Sequence, residues 1–352
     1  MAQPNVLRPD EIRDALTEHN KLRARDLAKN LGISEAQILA AQTGAGVTRI
    51  NANPDMIMTQ VPSFGEVMAL TRNEWCVHER VGAYGNYHSG AHASMILADE
   101  IDLRIFRSHW MHAFAVEKES EAGTKRSLQV FDAAGDSIHK IHLRAESDIQ
   151  GWDAAVTALA TGEVSQTLEV TDRLVAEPAK TNPEKRDILL KEWDLMTDTH
   201  QFMRLTAKLK MNRLGAYRIA GKPYARALAP SSVQDMLTQV QTSGAEVMVF
   251  VGNRGCIQIH SGPIEKLVTM GQWENVMDPR FNLHLRADHV AEVWAVEKPT
   301  QRGPARSFEA FDAEGSLVFQ VFPLAKEGRD NRDVWRSILE SLPEADVMEP
   351  AE

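Results

Sequence analysis

Cysteine is almost absent. Cys76 and Cys256 are the only two in 352 residues, and they form no Cys-x-x-Cys pair. That excludes a disulfide framework and a cysteine-rich zinc site. No apolar run is long enough to span a bilayer. The opening Met-Ala-Gln-Pro-Asn leads into charged sequence without the apolar stretch of a signal peptide. Cytoplasm, without membrane insertion, is therefore expected. Positive charge is in deficit, with 39 Lys and Arg against 49 Asp and Glu and a formal net charge of -10. Nucleic acid is thereby excluded as a partner, because a phosphate backbone requires a basic surface. Gly-x-Gly-x-x-Gly, phosphate-loop and Gly-x-Ser-x-Gly motifs are also missing, which excludes a resident dinucleotide site and a hydrolase elbow. What remains is an ordinary globular composition, 43% hydrophobic and 25% charged, in a chain long enough for two domains.

In chain order, residues 9–45 read as helical. Pro9-Asp-Glu is a helix start, Gly32 a stop, and Ser34 the N-cap of a further helix. The resulting helix-turn-helix outline lacks a basic second helix, so DNA binding is not inferred. From Glu66 the pattern is that of short strands to about Arg144, with Asp132-Ala-Ala-Gly135 as a hairpin turn. A helix on Trp152, Val156 and Leu159 closes this half. Pro178, Asn182-Pro183 and unpatterned charge mark a linker, after which helices resume near Asp187 and strands at Glu246.

The second half repeats the first. Glu66-Val-Met and Glu246-Val-Met are identical triplets 180 positions apart. Asn73 and Asn253, Cys76 and Cys256, and Phe131-Asp-Ala and Phe311-Asp-Ala keep that interval, while the preceding helices match at about 178. A unit of this size is a duplicated domain. The expected fold is α+β: a tandem duplication, each half with N-terminal helices, a large antiparallel sheet and a closing helix. The expected divisions are 1–165, a linker at 166–187, and 188–352. Residues that break the repeat are candidates for function. His200 faces Leu22, Arg104 faces His284, His88 faces Val268, and His78 faces Gln258 at these offsets. That asymmetry points to one principal site.

Trp193 to Leu209 reads as one helix. Trp193, Met196, His200, Met203 and Ala207 recur at steps of three and four and so share a face. An imidazole in an apolar stripe has two readings: a core histidine bonded to a carbonyl, or a ligand for an iron whose macrocycle the apolar flanks cover.

Trp193-Asp-Leu-Met-Thr-Asp-Thr-His-Gln-Phe202 resembles the proximal-ligand helix of the HemS/ChuS/PhuS family of haem-trafficking and haemin-degrading proteins. Val249-Phe-Val-Gly-Asn-Arg-Gly-Cys-Ile-Gln-Ile259 is similar to that family's C-terminal strand signature. Gly82, Tyr84, Asn86, His88, Gly90, His92 and Ala93, then Asp102-Leu-Arg104, resemble its N-terminal half. The resemblance implies haem b as ligand or substrate, held without a covalent link since Cys-x-x-Cys-His is absent. It implies His200 as the proximal iron ligand and Arg104 as the distal, catalytic arginine. It further implies Arg213 and Lys298 as partners of the propionates, and His88 as an auxiliary ligand. Phe322 and Ala325 stand where relatives carry a tyrosine and an arginine at the pocket edge, and Lys326 lies beside them. The implied function is binding of imported haem and its oxygen- and reductant-dependent ring opening, with electrons from an external reductase. The alternative is a non-enzymatic carrier that delivers haem to a separate haem oxygenase.

Overall fold

The computed structural model describes residues 7–121 and 123–345. The chain forms two compact units. Unit 1 comprises residues 1–72, 79–174 and 252–258; unit 2 comprises 73–78, 175–251 and 259–352.

Unit 1 opens with α1 (Pro9–Glu18), α2 (Ala24–Leu31) and α3 (Glu35–Ala40). The punctuation read from the sequence is present. Gly32 ends α2 at φ 69°, and Ser34 Oγ accepts from Gln37 N at 3.3 Å while Gln37 Oε1 accepts from Ser34 N at 2.9 Å. Strand β1 (Val47–Ile50) and helix α4 (Pro54–Gln60) follow, then β2 (Glu66–Arg72), β3 (Cys76–Ala83), β4 (Tyr87–His88), β5 (Ser94–Leu97) and β6 (Asp102–Ile105). The meander β7 (His112–Lys118), β8 (Lys125–Phe131) and β9 (Ser137–Leu143) leads to the closing helix α5 (Ile149–Leu159). β1-β7-β8-β9-β2 are neighbours in that order, all antiparallel. Between β8 and β9, Asp132 Oδ1 accepts from Ala134 N and Asp136 N, and Gly135 takes φ 77°, so the expected hairpin turn is made.

Unit 2 contains α6 (Arg186–Asp194), α7 (Gln201–Lys208), α8 (Arg213–Ala220), β10 (Ala225–Leu228) and α9 (Ser232–Ser243). Its strands are β11 (Val247–Gly252), β12 (Cys256–Gly262), β13 (Leu267–Met270), β14 (Trp273–Met277), β15 (Phe281–Arg286), β16 (Glu292–Lys298), β17 (Ala305–Phe311) and β18 (Leu317–Pro323), with α10 (Arg332–Ser341) closing. β10-β16-β17-β18-β11 repeat the antiparallel order seen in unit 1. Trp152 of α5 and Trp335 of α10 are both fully buried, each anchoring its closing helix.

The strands form two nine-stranded antiparallel sheets flanked by helices. One feature of the expected fold is corrected: the sheets do not follow the two halves of the sequence, because each unit incorporates a short segment from the other half. The duplicated asparagines explain how. Asn73 Oδ1 accepts from Trp75 N and Cys76 N, and Asn253 Oδ1 accepts from Gly255 N and Cys256 N, so each caps a tight strand-to-strand turn. Cys76 then lies in the apolar core of unit 2, with Val247, Val249 and Phe308, whereas Cys256 lies in that of unit 1, with Val67, Ala69 and Leu128. Burial pushes both thiols up, Cys256 to about 12, so they pack as small inert hydrophobes.

Candidate functional site

The expected helix around His200 is broken. α6 ends at Asp194 and α7 begins at Gln201, with His200 as its N-cap residue. Thr197-Asp198-Thr199 is the cause, since short polar side chains bond nearby backbone and favour caps over helix interiors. Gln201 Oε1 accepts from Thr197 N at 2.8 Å and Asp198 N at 3.3 Å. Asp198 Oδ1 accepts the backbone N–H of His200 at 2.8 Å. The buried stripe is corrected accordingly. α7 turns Phe202, Leu205 and Thr206 inward, while Met203 and Ala207 are exposed. Trp193 and Phe202 meet edge to face at 4.5 Å, and the indole Nε1 donates to Glu297 O at 3.0 Å, which fixes both ends of the break.

His200 is thereby displayed. Its side chain is 93% exposed, and Nδ1 lies 2.6 Å from Asp198 Oδ1. A carboxylate only accepts, so Nδ1 carries a proton toward Asp198, and Nε2 is the ring nitrogen left for a ligand. The backbone and side-chain N–H groups of His200 together hold the Asp198 carboxyl below its ordinary range.

A line of contacts runs inward from α7. Met203 lies on the exposed face of α7, and its sulfur is 3.6 Å from Arg213 Nη2. Arg213 is the first residue of α8, where a cation opposes the helix dipole; Glu309 answers it, with Nη1 3.3 Å from Oε2. Glu309 is fully buried on β17 and also binds Lys298 Nζ at 3.0 Å, accepting besides from Tyr217 OH at 2.9 Å and Ser307 Oγ at 2.8 Å. Burial pushes the Glu309 carboxyl up, but the two cations and these donors outweigh it and hold it well below the carboxylate range. Burial likewise lowers Lys298, against the pull of Glu309. Lys298 Nζ also donates to Tyr217 OH at 2.8 Å and lies 4.8 Å from the Phe202 ring centroid. Lys298 is thus a buried cation at the end of β16, already fully engaged.

Gly215 shapes the floor of this arrangement. A Cβ there would sit 1.9 Å from Lys180 O, so only glycine lets residues 178–182 lie against α8. Phe322 lies on β18, which pairs with β17, the strand that carries Glu309. It is half-buried and packs edge-on to Phe250 at 5.4 Å. Ala325 and Lys326 are exposed beyond it.

In unit 1, His88 pairs with Met95 across β4 and β5, and Met95 pairs with Arg104 across β5 and β6. Direct cross-strand partners share a face, so His88, Met95 and Arg104 form one row. The opposite face is the core, where Ile96 and Leu103 are buried. Arg104 is ion-paired with Asp102 and donates to Leu103 O at 3.1 Å. His88 is exposed, and its flanking residues are clamped: Tyr87 OH and Ser89 Oγ both donate to Asp55, which also receives Arg107 Nη2 at 2.7 Å.

Asp198, Tyr217 and Glu309 were not singled out from the sequence. The repeat carried a signal for Glu309: the 180 offset places Gln129 opposite it, and the 178 offset places Glu35 opposite Arg213. In unit 1, Glu35 instead pairs with Lys140, so the helix-to-sheet ion pair has reversed sign between the copies.

An exposed imidazole held by a carboxylate, with a cation and a thioether in contact with each other further along the chain, suits an anionic metal macrocycle. Among the described residues no cluster of three or more His, Cys, Asp or Glu could hold a metal ion by itself. The haemin-degrading HemS.ChuX domain family matches residues 32–159 and 210–342. The hemin transport protein HmuS of Yersinia pestis is 36% identical over 335 residues, covering 95% of this chain and 96% of that one. The crystal structure of holo-PhuS, a heme-binding protein from Pseudomonas aeruginosa, superposes with a TM-score of 0.91 at 36% identity, covering 96% of this chain and all of that one. The heme degrading enzyme ChuS of Escherichia coli O157:H7 gives 0.85 at 32% identity, with 94% and 97% covered. The chain belongs to the HemS/ChuS/PhuS haem-binding family.

Proposed function

We propose that this protein binds haem b through His200 Nε2 and carries it to a partner, with a haem oxygenase as the receiving enzyme. The observation that carries the reading is the display of His200: an almost fully exposed imidazole whose Nδ1 is held by Asp198, leaving Nε2 available. An exposed ligand suits transfer, whereas reactive oxygen chemistry favours a closed, dry site. Relatives at 36% identity described as a hemin transport protein and a heme-binding protein support the same reading. Arg213 is the cation placed to meet a propionate at the surface. Lys298 reaches one only by exchanging Glu309 for it, so its contribution runs through that carboxylate. His88 is proposed as an auxiliary ligand and Phe322 as part of the apolar rim.

Degradation is the second reading, favoured by the similarity to ChuS and by the family's description. There the porphyrin is the substrate, an external reductase supplies electrons, and Arg104 is the residue proposed to stabilise developing charge. The test is to load the protein with haemin, then add a chemical reductant and air with catalase present. A Soret band that persists, together with transfer to an added haem oxygenase, is the expected outcome. Steady loss of the band with release of iron overturns the carrier reading in favour of the enzyme.

A further inference from the structure

One oxygen of Asp198 faces both the backbone N–H and the ring Nδ1 of His200, leaving ring Nε2 on the other side of the imidazole. Oδ1 accepts the backbone N–H at 2.8 Å and lies 2.6 Å from ring Nδ1. The backbone donor at the start of α7 anchors the carboxylate beside the ring. Gln201 reinforces the turn: its Oε1 accepts from Thr197 N and Asp198 N, and its Nε2 lies 3.2 Å from Thr197 Oγ1. Gln301 N in turn donates to Thr197 O at 3.0 Å, tying the turn to the β16–β17 connection.

We infer that Asp198 is a positioning residue that sets the tautomer and donor strength of His200, and thereby makes this site grip ferric haem more tightly than ferrous. The inference rests on the haem-binding reading above. An imidazole whose second N–H is given to a carboxylate carries more electron density on the free nitrogen and is a stronger ligand. A stronger, more anionic ligand favours the higher charge on iron, and preferential binding of the ferric form lowers the midpoint potential of the bound group by linkage. The unit 1 repeat lacks the device: the 178 offset places Asn20 opposite Asp198 and Leu22 opposite His200.

Asp198→Asn separates this role from a merely structural one. The amide oxygen still accepts the His200 backbone N–H and preserves the cap, but the negative charge is gone. Asp198→Ala removes both. The readouts on the full chain loaded with haem are the iron–histidine stretching frequency of the ferrous form, the midpoint potential, the ferric haem off-rate and the denaturant midpoint without haem. For Asp198→Asn the expected results are a lower stretching frequency and a ferric off-rate about tenfold faster, the low end for loss of an outer partner of a ligating histidine. A tenfold loss of ferric preference reads as a rise of about 59 mV in potential. The denaturant midpoint without haem should stay unchanged. Wild-type frequency and potential in Asp198→Asn overturn the inference. If His200→Ala leaves the haem spectrum unaltered, the haem-binding reading itself fails and this inference with it.

Discussion

Removing the charge of Glu309 should be the most damaging isosteric substitution in unit 2. Glu309→Gln leaves Lys298 as an uncompensated ammonium whose side chain is 6% exposed. Breaking a buried ion pair on one side typically costs about 3–5 kcal/mol. The lower half of that range is expected, because Tyr217 OH at 2.8 Å and the Phe202 ring at 4.8 Å still face the ammonium. Lys298→Met should cost less, roughly 1–2 kcal/mol, since Glu309 keeps Arg213, Tyr217 and Ser307. In the double variant no buried cation is stranded, and Arg213, partly exposed, can turn to solvent. Its cost should lie near that of Lys298→Met alone, a coupling of about 3–4 kcal/mol. Native-state hydrogen exchange of α7 and α8 is the assay, because it reports unit 2 without requiring the whole chain to unfold in one step. The pH dependence has a defined sign. The Glu309 carboxyl is depressed in the fold, so its contribution is full above the ordinary carboxylate range and is lost only as pH falls through its folded value, near 2. Additive costs, with coupling below about 0.5 kcal/mol, would show that the three charges do not act as one cluster.

Three further outcomes are expected. His139 is buried among Thr71, Tyr84 and Trp110, and burial lowers it to about 3; the unfolded chain takes up its proton first as pH falls, so this group alone should cost unit 1 about 2 kcal/mol between pH 6.5 and 5, with His142 on the same strand, lowered to about 4, adding to the loss. Hydrogen exchange of β8 and β9 reads this, and equal protection at both pH values contradicts it; the equivalent position in the second copy is Phe319, which carries no such group. Arg213→Ala should speed haem loss more at low than at high salt, because an exposed propionate pair is screened, whereas Lys298→Ala should act independently of salt through the buried cluster; identical salt slopes in stopped-flow haem capture would refute the distinction. One principal haem should bind per chain, with any weaker second event lost in His88→Ala; an absorbance titration showing two equal sites rules this out.

The duplication, the helix caps at Gly32 and Ser34, the hairpin turn at Asp132 and the family were all legible in the sequence, because each rests on local chemistry or on repeated text. The break before His200 was not. A periodicity of three and four sees only spacing, and it placed Met203 and Ala207 inward where Thr197-Asp198-Thr199 resets the helix and Phe202 and Leu205 turn in instead. Burial of Lys298 was hidden for a different reason: its partner Glu309 is eleven residues away, and only β16–β17 pairing brings them together. Asn73 and Asn253 announced two matching turns, but nothing local says that each neighbouring cysteine enters the core formed mainly by the other half of the sequence.

The central claim is that His200 holds the iron. Its most direct test is a haemin titration of the wild-type chain and His200→Ala, followed in the Soret region with the off-rate measured by transfer to an excess acceptor. A saturable ferric spectrum in the wild type, and in His200→Ala an altered spectrum with markedly faster loss, is the predicted result. The same spectrum and the same off-rate in both proteins would contradict it.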